Sequence, residues 1–339
     1  MEYAKDQRRF GKESGIRSVL FPNFIGQTRL IRPLCRLIDG ALAKGEPLVS
    51  TLLLGPSGFG KTALARAIAD KFGTTLVTIL ARDDITPADL VDRLMACTPF
   101  QVVLIDEIHL LRPATQEVLY PLLSEGKLPK KIEPAEKETT GQVVLVAAPR
   151  ISLIFATNRP GDLRNALHKR CVSRVTLEPY SPEELAGISR LIAARLKLLL
   201  TPQAHHELAR CSCGCPRVVE HHLLKLRLHY PIVPSQGYTI QQVRQFLREH
   251  NIDEHGRDRD QQRLMELLAD RGRLSLQTIA SALGHNTNHV EQSVEPFLFQ
   301  RGWITRTPKG RELTEAGRHI VEQTHENELP DDLRRAATG

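Results

Sequence analysis

Eight consecutive residues, Gly55-Pro56-Ser57-Gly58-Phe59-Gly60-Lys61-Thr62, carry the clearest chemistry in the sequence. They fit G-x-x-x-x-G-K-[ST], the loop that cradles phosphate in P-loop NTPases. Gly58 and Gly60 let the backbone wrap an anion, and the loop N–H groups point inward as a nest. Lys61 is placed to reach the β- and γ-phosphates of ATP, and the Thr62 hydroxyl to ligate Mg²⁺.

A second run, Val102-Val103-Leu104-Ile105-Asp106-Glu107-Ile108-His109, is an apolar segment ending in two carboxylates. This is the Walker B pattern. Asp106 is expected to hold Mg²⁺, and Glu107 to orient and polarise the attacking water. Phosphoryl transfer is mostly positioning and charge stabilisation, so few groups suffice. A third run, Ile154-Phe155-Ala156-Thr157-Asn158-Arg159, also ends in a polar side chain. Asn158 could sit between the water and the γ-phosphate, as sensor 1 does in AAA+ ATPases, or cap the following turn. Arg170, in Leu167-His168-Lys169-Arg170-Cys171, is the candidate finger reaching a neighbouring subunit's site. Arg217, in Gly214-Cys215-Pro216-Arg217, fits the sensor 2 of an AAA+ lid.

These groups need a scaffold that brings strand ends and helix starts together. Strand candidates are Leu52–Leu54, Leu76–Leu80, Val102–Ile105, Ile151–Ala156 and Val172–Leu177. They alternate with helical patterns such as Ala63–Ala69, which implies parallel strands with crossover helices. From Ser181 to about Asn251 the periodicity is only helical, as in Glu183–Leu200. Ser181-Pro182-Glu183-Glu184 is a helix start, with an N-cap, Pro at N1 and acids in the first turn. The charged stretch Asp253–Arg259 reads as a linker. Beyond it, three helical patterns around Leu264, Leu276–Leu283 and Val290–Leu298 precede a short hairpin. That hairpin turns at Thr307-Pro308-Lys309-Gly310, and the whole makes a winged helix. The tail after Glu326 is polar and reads as loose. The fold class is therefore an α/β P-loop NTPase (AAA+) core, with a small all-α lid domain and a C-terminal winged-helix domain. The expected division is 1–180, 181–252 and 253–339.

Bulk properties narrow the setting. With 339 residues, 41% apolar and 25% charged, the composition is that of a globular chain. The formal net charge of +7 permits contact with nucleic acid without requiring it. No apolar run reaches membrane-spanning length, and the N-terminus lacks a secretory apolar region. The default is a cytoplasmic, reducing location. Six cysteines agree with that. Cys211, Cys213 and Cys215 alternate, which is not the C-x-x-C spacing of a zinc site, and read as free thiols around a turn.

Taken together, these motifs resemble one family, RuvB, the Holliday-junction branch-migration motor. The likeness runs from about Ile16 to Ile320. It includes Phe24-Ile25-Gly26-Gln27, Glu117-Val118-Leu119-Tyr120-Pro121, Tyr180-Ser181-Pro182-Glu183-Glu184-Leu185 and Glu295-Pro296-Phe297-Leu298. It ends in Gly302-Trp303-Ile304-Thr305-Arg306-Thr307-Pro308-Lys309-Gly310-Arg311.

The resemblance implies that Ile16 and Arg17 flank adenine. Gly58, Lys61, Thr62 and Ala63 would hold the phosphates, and Tyr180 and Arg217 complete the pocket. Arg170 would be supplied in trans within a homo-oligomer, by analogy a hexameric ring. The family's wing arginines fall on Arg306 and Arg311. With Lys309 these make a short basic wing suited to tracking DNA phosphates, or else a solvated face of a wing that contacts protein.

Some positions depart from the family. His168 stands where the family has arginine, and Thr287 where it has a DNA-contacting arginine. The family's partner RuvA docks on an apolar hairpin. The corresponding Pro129–Glu138 stretch here is strongly charged, a poor match for an apolar groove, so a RuvA-like partner fits this hairpin poorly. The expected function is an ATP-driven DNA motor acting as in branch migration during recombination and repair. The alternative is an ATP-switched loader or remodelling ATPase with a different partner.

Overall fold

A computed structural model describes residues 21, 24–132, 142–230 and 234–328. Ile16, Arg17, the Glu133–Glu138 part of the charged hairpin and the tail from residue 329 lie outside the described residues. Two compact units divide the chain. One is built from residues up to Ile188 together with Cys215–Glu220, the other from Ser189–Gly214 and His221 onward.

The first unit is a parallel sheet with helices on both faces. Its strands are β1 (Thr51–Leu54), β2 (Leu76–Leu80), β3 (Val102–Asp106), β6 (Ser152–Thr157) and β7 (Ser173–Thr176), in the order β2-β3-β6-β1-β7. A separate antiparallel hairpin, β4 (Lys127–Ile132) with β5 (Gln142–Ala147), leaves the sheet between β3 and β6. All five sequence-read strands belong to the sheet. Its central strands are apolar along most of their length because helices bury both faces. Leu52, Val103, Ile105 and Phe155 pack to one side, and Leu53, Leu104, Ile154 and Ala156 to the other. Parallel pairing sets the carboxyl ends of β1, β3 and β6 side by side, Leu53 opposite Ala156 and Ile105 opposite Phe155. The motif residues follow these ends directly, the crevice where such folds bind ligands.

The helix Pro182–Leu196 starts as read. Ser181 Oγ accepts from the Glu184 N–H, and Glu184 Oε2 accepts from the Ser181 N–H, a reciprocal capping box. It ends four residues before the apolar pattern does, where Lys197 takes φ 57. Further helices at Pro202–Arg210, Pro216–His229 and Ile240–Glu249 continue the all-α segment.

In the second unit, helices Arg259–Arg271 and Leu276–Leu283 precede a run of Thr287–His289, a π turn Val290–Val294 and Glu295–Gln300. The wing is β8 (Ile304–Thr307) against β9 (Gly310–Leu313). Leu264, Leu268, Ile279, Val294, Leu298, Trp303 and Leu313 form the core of this winged helix. Gly310 is obligatory at φ 140, because a Cβ there would sit 2.3 Å from the Leu274 carbonyl oxygen. That close approach lets Leu274 bridge to Arg311. A final helix, Glu315–Glu328, covers part of what the sequence reads as tail and contributes Val321 to the core.

The expected linker at Asp253–Arg259 is a folded turn instead. Arg257 is only 2% exposed. Its Nε donates to Asp253 Oδ2 at 2.6 Å, its Nη2 to Thr324 Oγ1 at 2.7 Å, and its guanidinium lies over Trp303. A buried cation is tolerated only when paired and hydrogen-bonded, and Asp253, four residues earlier in the same turn, supplies the pair.

Candidate nucleotide site and winged-helix surface

The phosphate loop joins β1 to the helix Lys61–Phe72. Gly58 takes φ 84, and a Cβ there would lie 2.8 Å from Arg217 Cβ and Cys215 Sγ. The loop is closed by its own lysine: Lys61 Nζ donates to the carbonyls of Gly55 at 2.8 Å and Pro56 at 3.1 Å. Burial lowers the Lys61 pKa, and the carboxylates of Glu107 and Asp106 oppose that. A buried ammonium aimed at the loop fits a polyanionic ligand.

Thr62 Oγ1 donates to Asp106 Oδ2 at 3.1 Å, and Asp106 Oδ1 accepts from the Glu107 N–H at 3.0 Å. Hydroxyl and carboxylate from two separate elements therefore meet at one point. Hard oxygens at the mouth of a phosphate loop are the donor set that suits Mg²⁺.

Glu107 stands at φ 51, a left-handed backbone. Its Oε2 is buried with no hydrogen-bond partner among the described residues, although His109 Nδ1 lies 3.4 Å away. The neighbours explain this. Thr157 Oγ1 accepts from the Arg159 N–H and lies 2.9 Å from His109 Nδ1. Burial lowers the His109 pKa, which favours the neutral ring. The Thr157 hydroxyl is the nearer neighbour of Nδ1, at 2.9 Å against 3.4 Å for Glu107 Oε2. The carboxylate oxygen stays available as an acceptor, which fits a substrate water. Asn158 Oδ1, just past the end of β6, is likewise buried and unpartnered. Such orphans are uncommon in folded proteins and concentrate where something else binds.

Tyr180 is 4% exposed, and its hydroxyl donates to the Phe59 carbonyl at 3.2 Å. Burial pushes its phenol well above the ordinary range. Arg217 Nη1 donates to Ser57 Oγ at 2.8 Å, at the rim of the loop. Gln27 locks the opening segment: its side chain donates to the Glu178 carbonyl and accepts from the Glu178 N–H, while its backbone N–H donates to Glu184. Arg170 stands apart from this cluster. It ends the helix Asn165–Arg170, stacks over Tyr120 at 4.7 Å, and donates to Ser124 and Ala166.

Sequence reasoning missed the His109–Thr157 link. Its signal was present, a histidine two residues after the second carboxylate and a threonine before the sensor asparagine. No local spacing says that the two meet.

In the winged helix, the three basic wing residues differ. Arg311 is no surface cation: its Nε and Nη2 donate to the two oxygens of Glu295, at 2.7 and 3.2 Å, and Glu295 is fully buried. The guanidinium expected as a phosphate contact is turned onto Glu295 in this structure. Arg306 is half exposed and reaches Glu291 at 2.8 Å. Lys309 is exposed at the turn and makes no ion pair among the described residues.

On the β4–β5 hairpin, Val143 and Leu145 point to solvent, 67% and 47% exposed. They stand two residues apart and share one face of the strand. The charged stretch thus leads into an apolar strand face.

A parallel sheet with a phosphate loop, two acid-bearing strand ends, a helical segment and a winged helix defines a P-loop ATPase of the AAA+ class. The comparisons make the family specific. The RuvB P-loop domain family, described as that of the Holliday junction DNA helicase RuvB, matches residues 16–177, and the RuvB C-terminal winged helix domain matches 254–322. The chain is 35% identical over 311 residues to the Holliday junction branch migration complex subunit RuvB of Synechococcus sp. (strain CC9311), covering 91% of this chain and 86% of that protein. The namesake subunit of Prochlorococcus marinus (strain MIT 9313) is 34% identical, with 91% and 88% covered. Among solved structures, the Thermotoga maritima RuvB Holliday junction branch migration motor superposes with a TM-score of 0.75 at 26% identity, covering 91% of this chain and 97% of that one. The chain belongs to the RuvB family of P-loop ATPases. Among the described residues, no helix is long and apolar enough to cross a membrane.

Proposed function

We propose that this protein is an ATP-hydrolysing motor that moves duplex DNA, as in Holliday-junction branch migration. The observation that carries it is the conjunction of a complete hydrolytic constellation with a winged helix in one RuvB-family chain. Magnesium, when bound, neutralises charge on the β- and γ-phosphates.

The chain's own residues do the rest. The Gly58–Ala63 backbone and Lys61 would grip the phosphates, and Thr62 and Asp106 would hold the metal. Glu107 takes up the attacking water through its unpartnered oxygen. His109, itself held by Thr157, stands next to that carboxylate, and Asn158 offers a further unpartnered acceptor oxygen. Tyr180 and Arg217 close the pocket from the side, with Ile16 and Arg17 assigned to the adenine. Arg170, tethered away from its own loop, is assigned to the site of a neighbouring subunit, and a ring of about six subunits follows by analogy with other AAA+ motors.

The DNA contact is assigned to Lys309 and Arg306, which are exposed. Arg311 supports the wing from inside through Glu295. The β4–β5 hairpin is assigned to a protein partner, and Val143 and Leu145 give that partner an apolar footing next to the charged stretch. This restores a RuvA-like partner as a reading to test. A cytoplasmic location goes with a DNA-handling ATPase whose six cysteines are all free.

The test is ATP hydrolysis with and without junction DNA. The motor reading expects stimulation by DNA and movement of a synthetic four-way junction. Substituting both Lys309 and Arg306 by alanine should weaken DNA binding and flatten its salt dependence. Hydrolysis indifferent to DNA would overturn the reading. DNA binding in ATP without junction movement would favour the switch or loader instead.

A further inference from the structure

One cluster of metal-ligating side chains lies outside the nucleotide loop and is used neither by phosphate chemistry nor by the wing. Asp260 sits in the first turn of Arg259–Arg271, His285 follows the glycine that ends Leu276–Leu283, and His289 closes the short turn Thr287–His289. One ligand atom from each lies within 4.8 Å of the other two. His285 Nε2 is 2.8 Å from Asp260 Oδ2, and the His285 and His289 rings are 4.4 Å apart between centroids.

Three separate backbone devices hold these side chains together. The Asp258–Gln261 capping box fixes the turn that carries Asp260. The left-handed Gly284 closes its helix, and the His285 N–H donates to the Ala280 carbonyl at 2.9 Å. Asn286 Oδ1 accepts from the His289 N–H at 2.8 Å. The backbone is thus fixed while the side-chain ends stay accessible: His285 and Asp260 are 32% and 37% exposed. An ion can enter from water, and bonds of about 2 Å form by side-chain rotation alone.

We propose that Asp260, His285 and His289 form a binding site for a divalent transition-metal ion of the zinc type. Two imidazoles and one carboxylate, with a further position open to water, suit zinc and its neighbours. Magnesium prefers oxygen alone, so this site is chemically distinct from the Thr62–Asp106 pair. The ion would clasp the first helix of the winged helix to the turn that leads into its third. It therefore acts where the recognition segment begins.

The full-length protein, free of nucleotide and DNA, tests this independently of the proposed motor function. Co²⁺ is titrated by its visible absorption, with Zn²⁺ as competitor and Mg²⁺ in excess throughout. One tight site per chain is expected. His285→Ala, His289→Ala and Asp260→Asn should each weaken it at least ~tenfold, while retaining ATP binding as evidence of folding. His319→Ala, at an exposed histidine elsewhere in the unit, should leave it unchanged. Absence of a saturable site, or equal weakening by His319→Ala, overturns the proposal. So does a site that survives loss of either clustered histidine.

Discussion

Glu107 does its work from an uncommon backbone. A left-handed conformation costs a non-glycine residue roughly 1–2 kcal/mol, and strain of this kind persists where surrounding structure imposes it. Here Glu107 is the single residue joining strand β3 to the short helical turn Ile108–Leu110. The result is a carboxylate just past the strand end, with one oxygen buried and unpartnered among the described residues. Glu107→Gln should keep ATP binding and slow hydrolysis by at least ~100-fold, within the range for loss of a general base; a single-turnover assay reads both. His109→Ala is a test of positioning. It should lower kcat by about tenfold, a small part of a general base's contribution, and leave KM for ATP near the wild-type value. A rise in KM with unchanged kcat would instead place His109 in nucleotide binding.

At the scale of elements, charge is used inside as well as outside. The Arg311–Glu295 pair joins β9 to the helix Glu295–Gln300, and Arg257–Asp253 closes the turn before Arg259–Arg271. Both arginines are nearly buried. Breaking such a pair from one side leaves an uncompensated charge and costs about 3–5 kcal/mol. Glu295→Ala is therefore expected to lower the thermal midpoint of the protein markedly. Glu295→Ala combined with Arg311→Met should recover much of that loss, because no buried charge is left unpaired. Calorimetry on both variants checks this, and a harmless Glu295→Ala would show that Arg311 finds water instead.

At the scale of the whole molecule, two buried histidines in the second unit tie stability to pH. Ser189 Oγ lies 2.8 Å from His205 Nδ1, and His222 Nε2 donates to the Cys211 carbonyl at 3.2 Å. Burial pulls both side chains down from 6.5 to about 4. Among the described residues His222 Nδ1 is buried without a partner, so a second proton there meets no acceptor among them. In the folded protein both rings are neutral through the range where the unfolded chain protonates. Stability is accordingly full above about pH 6.5, falls as the pH drops, and levels off below about 4. Each histidine contributes up to about 3 kcal/mol to that loss. Denaturant titrations at pH 7 and pH 5 measure it, and His205→Gln should make the dependence shallower.

Assembly belongs to the same scale. If Arg170 completes a neighbour's site, mixing Lys61→Ala with Arg170→Ala protein should restore part of the hydrolysis that each alone lacks. Mixtures no more active than their parts would return Arg170 to its own subunit.

What the sequence by itself determined about this protein is what contiguous residues can state. The phosphate loop, the two acid-bearing strand ends, the order of strands and helices and the wing turn are all written in runs of neighbours. Their chemistry follows from local backbone geometry, so reading them needs no tertiary partner. The tertiary structure decided which distant groups meet. It took Arg311 out of solvent and gave it to Glu295, turned the Asp253–Arg259 linker into a buried clasp, and joined His109 to Thr157. It also set Asp260 beside His285 and His289. The physical reason is common to all four cases. A polar side chain takes its role from burial and from the partner that burial supplies, and long-range packing sets both.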